Sequence, residues 1–302
     1  MKIILTGGTG FIGASLIRHL AASHHQIVSL SRNPQLNIHT PQLDKVEWDG
    51  KSPGPWADNV DGADAVINLA GETIGGKRWT SSQKARILGS RVDATKALVN
   101  AIRKARVKPG VFVSASAVGY YGDVADGDVT ESHPRGNDFL AGVCDQWERE
   151  AYAAETHGVR VITPRFGVVL DRGGGALDKL LLPFKMYVGG PLGSGRQWFP
   201  WVHREDVAGV IQYALDNSSV MGPLNVAAPE SVTNEEFCRA LGKAMRRPCW
   251  ARVPAFVLRA ALGEMADMLL TGQKVVPEKL LKNGYRFRYP HLDDAFADIL
   301  NR

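Results

Sequence analysis

The sequence predicts a doubly wound α/β fold, a parallel sheet with helices on both faces, joined to a smaller, mainly helical C-terminal domain. Three observations predict it. The chain opens Met1-Lys-Ile-Ile-Leu-Thr-Gly-Gly-Thr-Gly-Phe-Ile-Gly13, an apolar strand running directly into a glycine-rich turn. Short apolar runs then alternate with helix-like stretches through the first half of the chain, the pattern of strand–helix–strand units. From Thr233 to Leu300 helical patterns take over.

Ile3 to Thr6 reads as the first strand, and Phe11, Ile12, Leu16, Ile17 and Leu20 are spaced as one face of the helix that follows. Gly7, Gly10 and Gly13, three residues apart, let the backbone turn sharply and approach a pyrophosphate. The helix N-terminus then offers its free N–H groups to the phosphates. Strand plus turn plus amphipathic helix is the context that makes this spacing a dinucleotide site. Further strands are expected at Ile27 to Ser31, Val46 to Trp48, Ala65 to Leu69, Val111 to Ser114 and Val159 to Thr163. Helices are expected at Ser81 to Ala105 and Val143 to His157. Asp171-Arg-Gly-Gly-Gly175 and Gly189-Gly-Pro-Leu-Gly-Ser-Gly195 break the alternation. The expected division is a Rossmann domain over residues 1–170 and 200–232, and a substrate-side domain over 171–199 and 233–302.

Hydrophobic content of 44% and charged content of 22% over 302 residues describe an ordinary globular protein with a large core. Met1 and Lys2 lead straight into the first strand, and no apolar run approaches the ~20 residues that span a bilayer. Cys144, Cys238 and Cys249 show no CxxC spacing, and His133 and His203 have no ligands at metal-binding intervals. The expectation is a cytoplasmic protein with no metal, no membrane partner and a small-molecule substrate. A homo-oligomer stays open.

The net charge of +5 is unevenly placed, because residues 239–302 hold 12 Lys or Arg against 6 Asp or Glu. One reading is a solvated helical face. The other is a pocket, with Lys274, Arg286 and Arg288 in it, for an anionic substrate. Nucleic acid is not expected, since no basic run is interleaved with aromatics.

The end of the second strand selects the cofactor. An acidic side chain there would accept hydrogen bonds from the adenosine ribose of NAD, but this chain offers Ser31 and Arg32. An arginine there pairs with a 2′-phosphate, so the expected cofactor is NADP (NADPH).

Gly7 to Gly13, Val66-Ile-Asn-Leu-Ala-Gly71, Ser114-Ala-Ser-Ala-Val-Gly-Tyr-Tyr-Gly122, Pro164-Arg-Phe-Gly-Val-Val-Leu170 and Trp201-Val-His-Arg-Glu-Asp206 resemble the extended short-chain dehydrogenase/reductase superfamily, which includes sugar-nucleotide epimerases and dehydratases. Lys77-Arg-Trp79, Gly189 to Gly193 and Gly272-Gln-Lys274 resemble its atypical branch of epimerase family proteins of the YfcH type, with a C-terminal domain of unknown function. The resemblance implies a cofactor lying along Gly7, Thr9, Gly10, Phe11, Ile12 and Gly13, past Ser31 and Arg32. It continues along Leu69, Ala70 and Gly71 to Arg91, Ser114, Cys144, Arg165 and Val169.

It also implies chemistry that this chain lacks. An ordinary member uses a Tyr that transfers a proton and a Lys four residues later that lowers its pKa. Counted back from Trp147 and Glu148, those positions are Leu140 and Cys144. The substrate-polarising serine is kept as Ser116, and Arg91 replaces a helix asparagine. Four side chains are left as catalytic candidates: Ser116, Tyr120, Tyr121, and Cys144 as a thiolate beside Arg91. Arg165 and His203 fit structural hydrogen bonding equally well. Two functional readings follow: an NADP-dependent oxidoreductase or sugar-nucleotide-epimerase-like enzyme, or a non-catalytic NADP-binding sensor or interaction protein.

Overall fold

The computed structural model describes residues 1–33, 38 and 40–301. The first half runs β1 (Lys2–Thr6), α1 (Phe11–Ala22), β2 (Gln26–Ser31), β3 (Leu43–Glu47), β4 (Ala65–Asn68), α2 (Ser81–Lys104), β5 (Val111–Ser114) and β6 (Ser116–Ala117). It continues with β7 (Val124–Val129), α3 (Phe139–Tyr152), β8 (Arg160–Phe166) and β9 (Val168–Leu170). The remainder is α4 (Leu177–Lys185), β10 (Trp201–His203), α5 (Arg204–Asp216), β11 (Gly222–Val226), α6 (Asn234–Met245), α7 (Ala255–Leu262), α8 (Asp267–Leu270), β12 (Gln273–Val275), α9 (Glu278–Lys282) and α10 (Leu292–Asn301).

The main sheet is parallel, in the order β11-β8-β5-β4-β1-β2-β3, with β6 also paired to β8. The strand order reverses between β1 and β4. In a doubly wound sheet, ligands bind beyond the carboxyl ends of the strands at such a point. Here those ends are Thr6 and Asn68, paired in register.

Both faces of the sheet are buried, which is why its strands read as continuous apolar runs. Ile3 and Leu5 point to the face covered by α1 and α5, with Leu16, Ile17, Val207 and Ile211. Ile4, between them, points to the opposite face with Leu98 and Ile102 of α2. The period of two along β1 thus feeds two separate cores. A third core, built from Leu177, Phe184, Trp201, Phe237, Phe296 and Ile299, joins α4, β10, α6 and α10.

Element boundaries follow caps and pairing. Asp138 caps α3, its carboxylate accepting from Ala141 N at 2.8 Å, so the helix begins at Phe139 rather than at the expected Val143. Its last expected turn is a 3-10 stretch over Ala153–His157. The third strand starts at Leu43, three residues before the expected Val46, because Leu43 pairs with Ile27. Thr233 and Glu236 form a capping box that starts α6. The C-terminal segment is tied back at Asp206, in the first turn of α5, whose carboxylate accepts from the backbone N–H of Arg288 at 2.6 Å and of Tyr289 at 2.9 Å.

Candidate functional site

Gly7 has φ +72° and lies so close to β4 that a Cβ on it would sit 2.6 Å from Leu69 O. A Cβ on Gly13 would sit 2.2 Å from Gly7 O. Both glycines are therefore required by close approach, and together they bring the start of α1 down onto the switch point. Gly10 caps α1 without a side-chain hydrogen bond, and no acidic residue stands in the first turn. The first N–H groups of the helix have no intrahelical acceptors, so an uncapped and uncompensated dipole end faces this crevice. Thr9, Gly10 and Gly71 are exposed, and Phe11, Ile12, Leu69 and Ala70 are partly exposed along the same edge. The Phe11 ring is covered by the loop after β9, where Cβ atoms on Gly174 and Gly175 would fall 2.8 and 2.9 Å from it. Val169, just before that loop, is half-buried in β9.

At the end of β2, Ser31 Oγ donates to Asn33 O at 2.9 Å, and the hydroxyl also accepts from Asn33 N. Its role is to shape the turn. Arg32 is exposed and makes no ion pair among the described residues.

The face of α3 that would carry the Tyr and Lys presents Leu140, Cys144 and Glu148, one turn apart. Leu140 packs on Gly119. Burial pushes the Cys144 thiol up to about 12. A thiolate beside Arg91 is thus corrected to a neutral, buried thiol, because desolvation outweighs the attraction of the cation. Glu148 is buried, and it forms a two-pronged ion pair with Arg165, Nε to Oε1 and Nη2 to Oε2, each at 2.8 Å. Ser116 Oγ donates to Glu148 Oε1 at 2.6 Å. The expectation that Ser116 polarises a substrate oxygen is corrected accordingly. Its proton is committed to the carboxylate, and the side chain is itself buried.

The network continues across β8. Arg165 Nη1 donates to the Tyr121 hydroxyl at 2.9 Å, and that hydroxyl donates to Asn225 Oδ1 at 2.6 Å. Burial pushes the Tyr121 phenol up to about 12. Tyr121 is therefore a structural phenol rather than a catalytic one. Burial works against the Arg165 charge, but hydrogen bonds and attraction to Glu148 more than offset it and hold the guanidinium pKa above its ordinary value. Four of the five Arg165 N–H groups are spent on Glu148, Tyr121 and Glu131 O, and the side chain is buried, so its expected cofactor contact is corrected to a structural one. Tyr120 differs from its neighbour. Its ring lies with its centroid 3.5 Å from the Arg165 guanidinium carbon, it is partly exposed, and its hydroxyl makes no hydrogen bond among the described residues.

Arg91 lies where Gly71 leaves room, its guanidinium carbon 3.1 Å from the place a Gly71 Cβ would occupy. It donates to Glu72 O at 3.1 Å and Ile87 O at 2.9 Å, and makes no ion pair among the described residues. Burial pushes its pKa down. Ser114 is fully buried, and its hydroxyl accepts from Asn68 Nδ2 at 3.3 Å. Its expected cofactor contact is corrected to a tie at the sheet end. Asn68 gathers the site, accepting from Thr6 Oγ1 at 2.8 Å and donating to Thr95 Oγ1 at 2.9 Å.

A model of the NAD dependent epimerase/dehydratase family matches residues 3–227, and one of a domain of unknown function, DUF1731, matches residues 253–299. This chain belongs to the NAD dependent epimerase/dehydratase family. Epimerase family protein YfhF of Bacillus subtilis is 39% identical over 99% of this chain and 98% of its own length. The crystal structure of human epimerase family protein SDR39U1 (isoform 2) with NADPH superposes with a TM-score of 0.89 at 38% identity, covering 100% of both chains. A nucleoside-diphosphate sugar epimerase from Corynebacterium glutamicum is 31% identical, with a TM-score of 0.79, over 99% of this chain and 58% of that one.

The chain carries the glycine turn, and the α3 positions where the resemblance implies a Tyr and a Lys hold Leu140 and Cys144. Glu148, Asn68 and Asn225 are the site residues that the sequence reading passed over. A polar residue closing a buried strand, as Asn68 does in Val-Ile-Asn-Leu, was the available signal for one of them. The basic tail does not gather into a pocket. Lys274 pairs with Asp128 at 2.9 Å, while Arg286 and Arg288 are exposed on the segment that crosses α5. His203 caps α5 through its ring, accepting from Glu205 N at 3.1 Å.

Proposed function

We propose that this protein binds NADPH at the Gly7–Gly13 turn and acts as an oxidoreductase or epimerase-like enzyme without the ordinary Tyr-Lys pair, Tyr120 being the side chain that exchanges a proton with substrate. The observation that carries the reading is the glycine cradle at the β1/β4 switch point, with the α1 N-terminus left uncapped toward it. The NADPH in the human relative's structure supports it. In this reading the N–H groups of Phe11, Ile12 and Gly13 hold the pyrophosphate, Arg32 holds the 2′-phosphate, and Arg91 takes a ribose or phosphate oxygen. When bound, the nicotinamide supplies or accepts a hydride.

The chain's own contribution to the chemistry is positional. Glu148 and Arg165 fix the floor on which the Tyr120 ring rests, and that ring keeps a free hydroxyl at the partly open side of the network. The substrate-side region is built from the third core, beside α4 and α6. Purified protein with NADPH, screened against aldehydes, ketones and sugar nucleotides, should oxidise the cofactor with at least one class. Tyr120→Phe should remove that activity and leave NADPH affinity unchanged.

The alternative, an NADPH-binding protein without turnover, is favoured by one observation: the two vacated positions are filled by a packed leucine and a protonated thiol. NADPH binding with no turnover across the whole screen, and no polar cavity beside the nicotinamide in a cocrystal, would decide for it.

A further inference from the structure

The segments 179–203 and 237–263 contain three and six Lys or Arg respectively, and no Asp or Glu. They lie side by side. Gly189 bridges to Cys249 and Leu192 to Val253, and Val253 N donates to Pro191 O at 2.9 Å. Trp250 Nε1 donates to Tyr187 O at 3.0 Å, and the Arg247 guanidinium carbon lies 4.1 Å from the Tyr187 ring centroid. The two segments run together as a strip of chain from the end of α4, along the bridged residues 249–253, to the start of α7.

That strip is unusually apolar. Met186 is 63% exposed, Tyr187 53%, Val188 44%, Trp250 68%, Phe256 74% and Val257 40%. Helix α7, with the sequence AFVLRAAL, buries none of its residues. Scattered exposed apolar side chains need no explanation, but a contiguous patch of this kind marks an interaction site. Lys185 and Arg246 are exposed at its edge, and with Arg247 they make no ion pair among the described residues.

We infer that this strip docks on an anionic lipid surface, with Trp250, Phe256 and Met186 entering the headgroup boundary and Lys185, Arg246 and Arg247 pairing with lipid phosphates. The charge decides among occupants. Arg239 and Arg252 are balanced by Glu235, Lys243 by Asp293 and Arg259 by Asp267. That leaves Lys185, Arg246 and Arg247 as the cations without an ion pair, among the described residues, at the apolar side chains. A symmetric contact with a second copy would bring these three against their own copies, and they would repel. A negatively charged surface complements them instead. Exposed tryptophan and phenylalanine beside lysine and arginine is the composition that settles at a bilayer interface rather than in a nucleic-acid groove. Docking of this kind needs no spanning segment. Among the described residues no helix is long and apolar enough to cross a membrane. The inference departs from the expectation of no membrane partner, which rested on the absence of a spanning run, and it is independent of the proposed chemistry.

The test is flotation of the full chain with phosphatidylcholine vesicles, alone or mixed with phosphatidylglycerol, at low and high salt. Flotation with the mixed vesicles only, weakened by salt, is expected. Trp250→Ser combined with Phe256→Ser, and separately Lys185→Glu combined with Arg246→Glu, should each lower the bound fraction at least about tenfold. All four positions are exposed, so the melting curves should be unchanged, which separates lost docking from lost folding. No flotation, equal flotation on neutral vesicles, or flotation unaffected by both variants would overturn the inference. So would a dimer mass in light scattering that Trp250→Ser abolishes, or salt-sensitive binding to an acidic protein or DNA without vesicle binding.

Discussion

Ser116 donates its hydroxyl proton to Glu148 Oε1 at 2.6 Å, in a site where the neighbouring carboxylate oxygen is held by Arg165 at 2.8 Å. The serine that would face substrate is thereby turned toward the helix. With a neutral thiol at Cys144, the Glu148 carboxylate is the strong acceptor that the α3 face offers Ser116, and a charge-assisted hydrogen bond follows.

Breaking that centre should be costly. Glu148→Gln leaves Arg165 a buried cation without a counter-charge, and about 3–5 kcal/mol of stability should be lost. Ser116→Ala removes one hydrogen bond and should cost about 1 kcal/mol. Urea midpoints of the two variants check the ranking. Similar, small losses would show that Glu148 is solvated and the pair is not a structural centre.

The two adjacent tyrosines should separate cleanly. Tyr121→Phe strands Asn225 and one Arg165 donor and should cost about 1–3 kcal/mol. Tyr120→Phe should change stability by no more than about 0.5 kcal/mol, while lowering turnover by about a hundredfold or more once a substrate is in hand. Thermal melts and steady-state rates on both variants read these effects.

Alkaline pH should destabilise the fold. Cys144 and Cys238 sit at about 12 in the native state against an ordinary 9.0, and Tyr121 and Tyr152 at about 12 against 10.0, in each case chiefly because burial disfavours the anion. The native chain therefore holds protons that the unfolded chain releases. Stability is full below about pH 9 and falls as the pH rises toward 12. Urea midpoints across that window should decline, and Cys144→Ala should make the decline shallower. Iodoacetamide should leave Cys144 unmodified in the folded protein at neutral pH.

Two glycine-to-alanine substitutions should behave oppositely. Gly13→Ala places a methyl 2.2 Å from Gly7 O and should both abolish NADPH binding and cost about 1–3 kcal/mol. Gly142→Ala, in α3 with nothing within 4 Å, should leave binding intact and stabilise the helix by up to about 1 kcal/mol. Calorimetry and melting on the pair test whether the cradle is set by close approach.

What was legible in the sequence was whatever local pattern dictates. The β1 strand, the glycine turn and the α1 face follow from periodicity and from glycine chemistry, and they stand where Ile3, Gly7 and Leu16 place them. The start of β3 was set by pairing with Ile27, and the start of α3 by the Asp138 cap, neither of which periodicity reveals. Within the site, the absence of Tyr and Lys was readable at Leu140 and Cys144. The fate of Ser116, Tyr121 and Arg165 was not, because it depends on Glu148, 32 residues from Ser116, meeting β6 and β8 in space. The tail charge was visible as a sum, yet its members scatter, with Lys274 neutralised by Asp128.

The central claim, an NADPH site with Arg32 reading the 2′-phosphate, is tested most directly by calorimetric titration of the unmodified protein and of Arg32→Ala with NADPH and with NADH. The unmodified protein should bind NADPH at least about tenfold tighter than NADH, and Arg32→Ala should erase most of that difference. Equal affinities for the two cofactors in the unmodified protein, or no binding of either, would contradict the account.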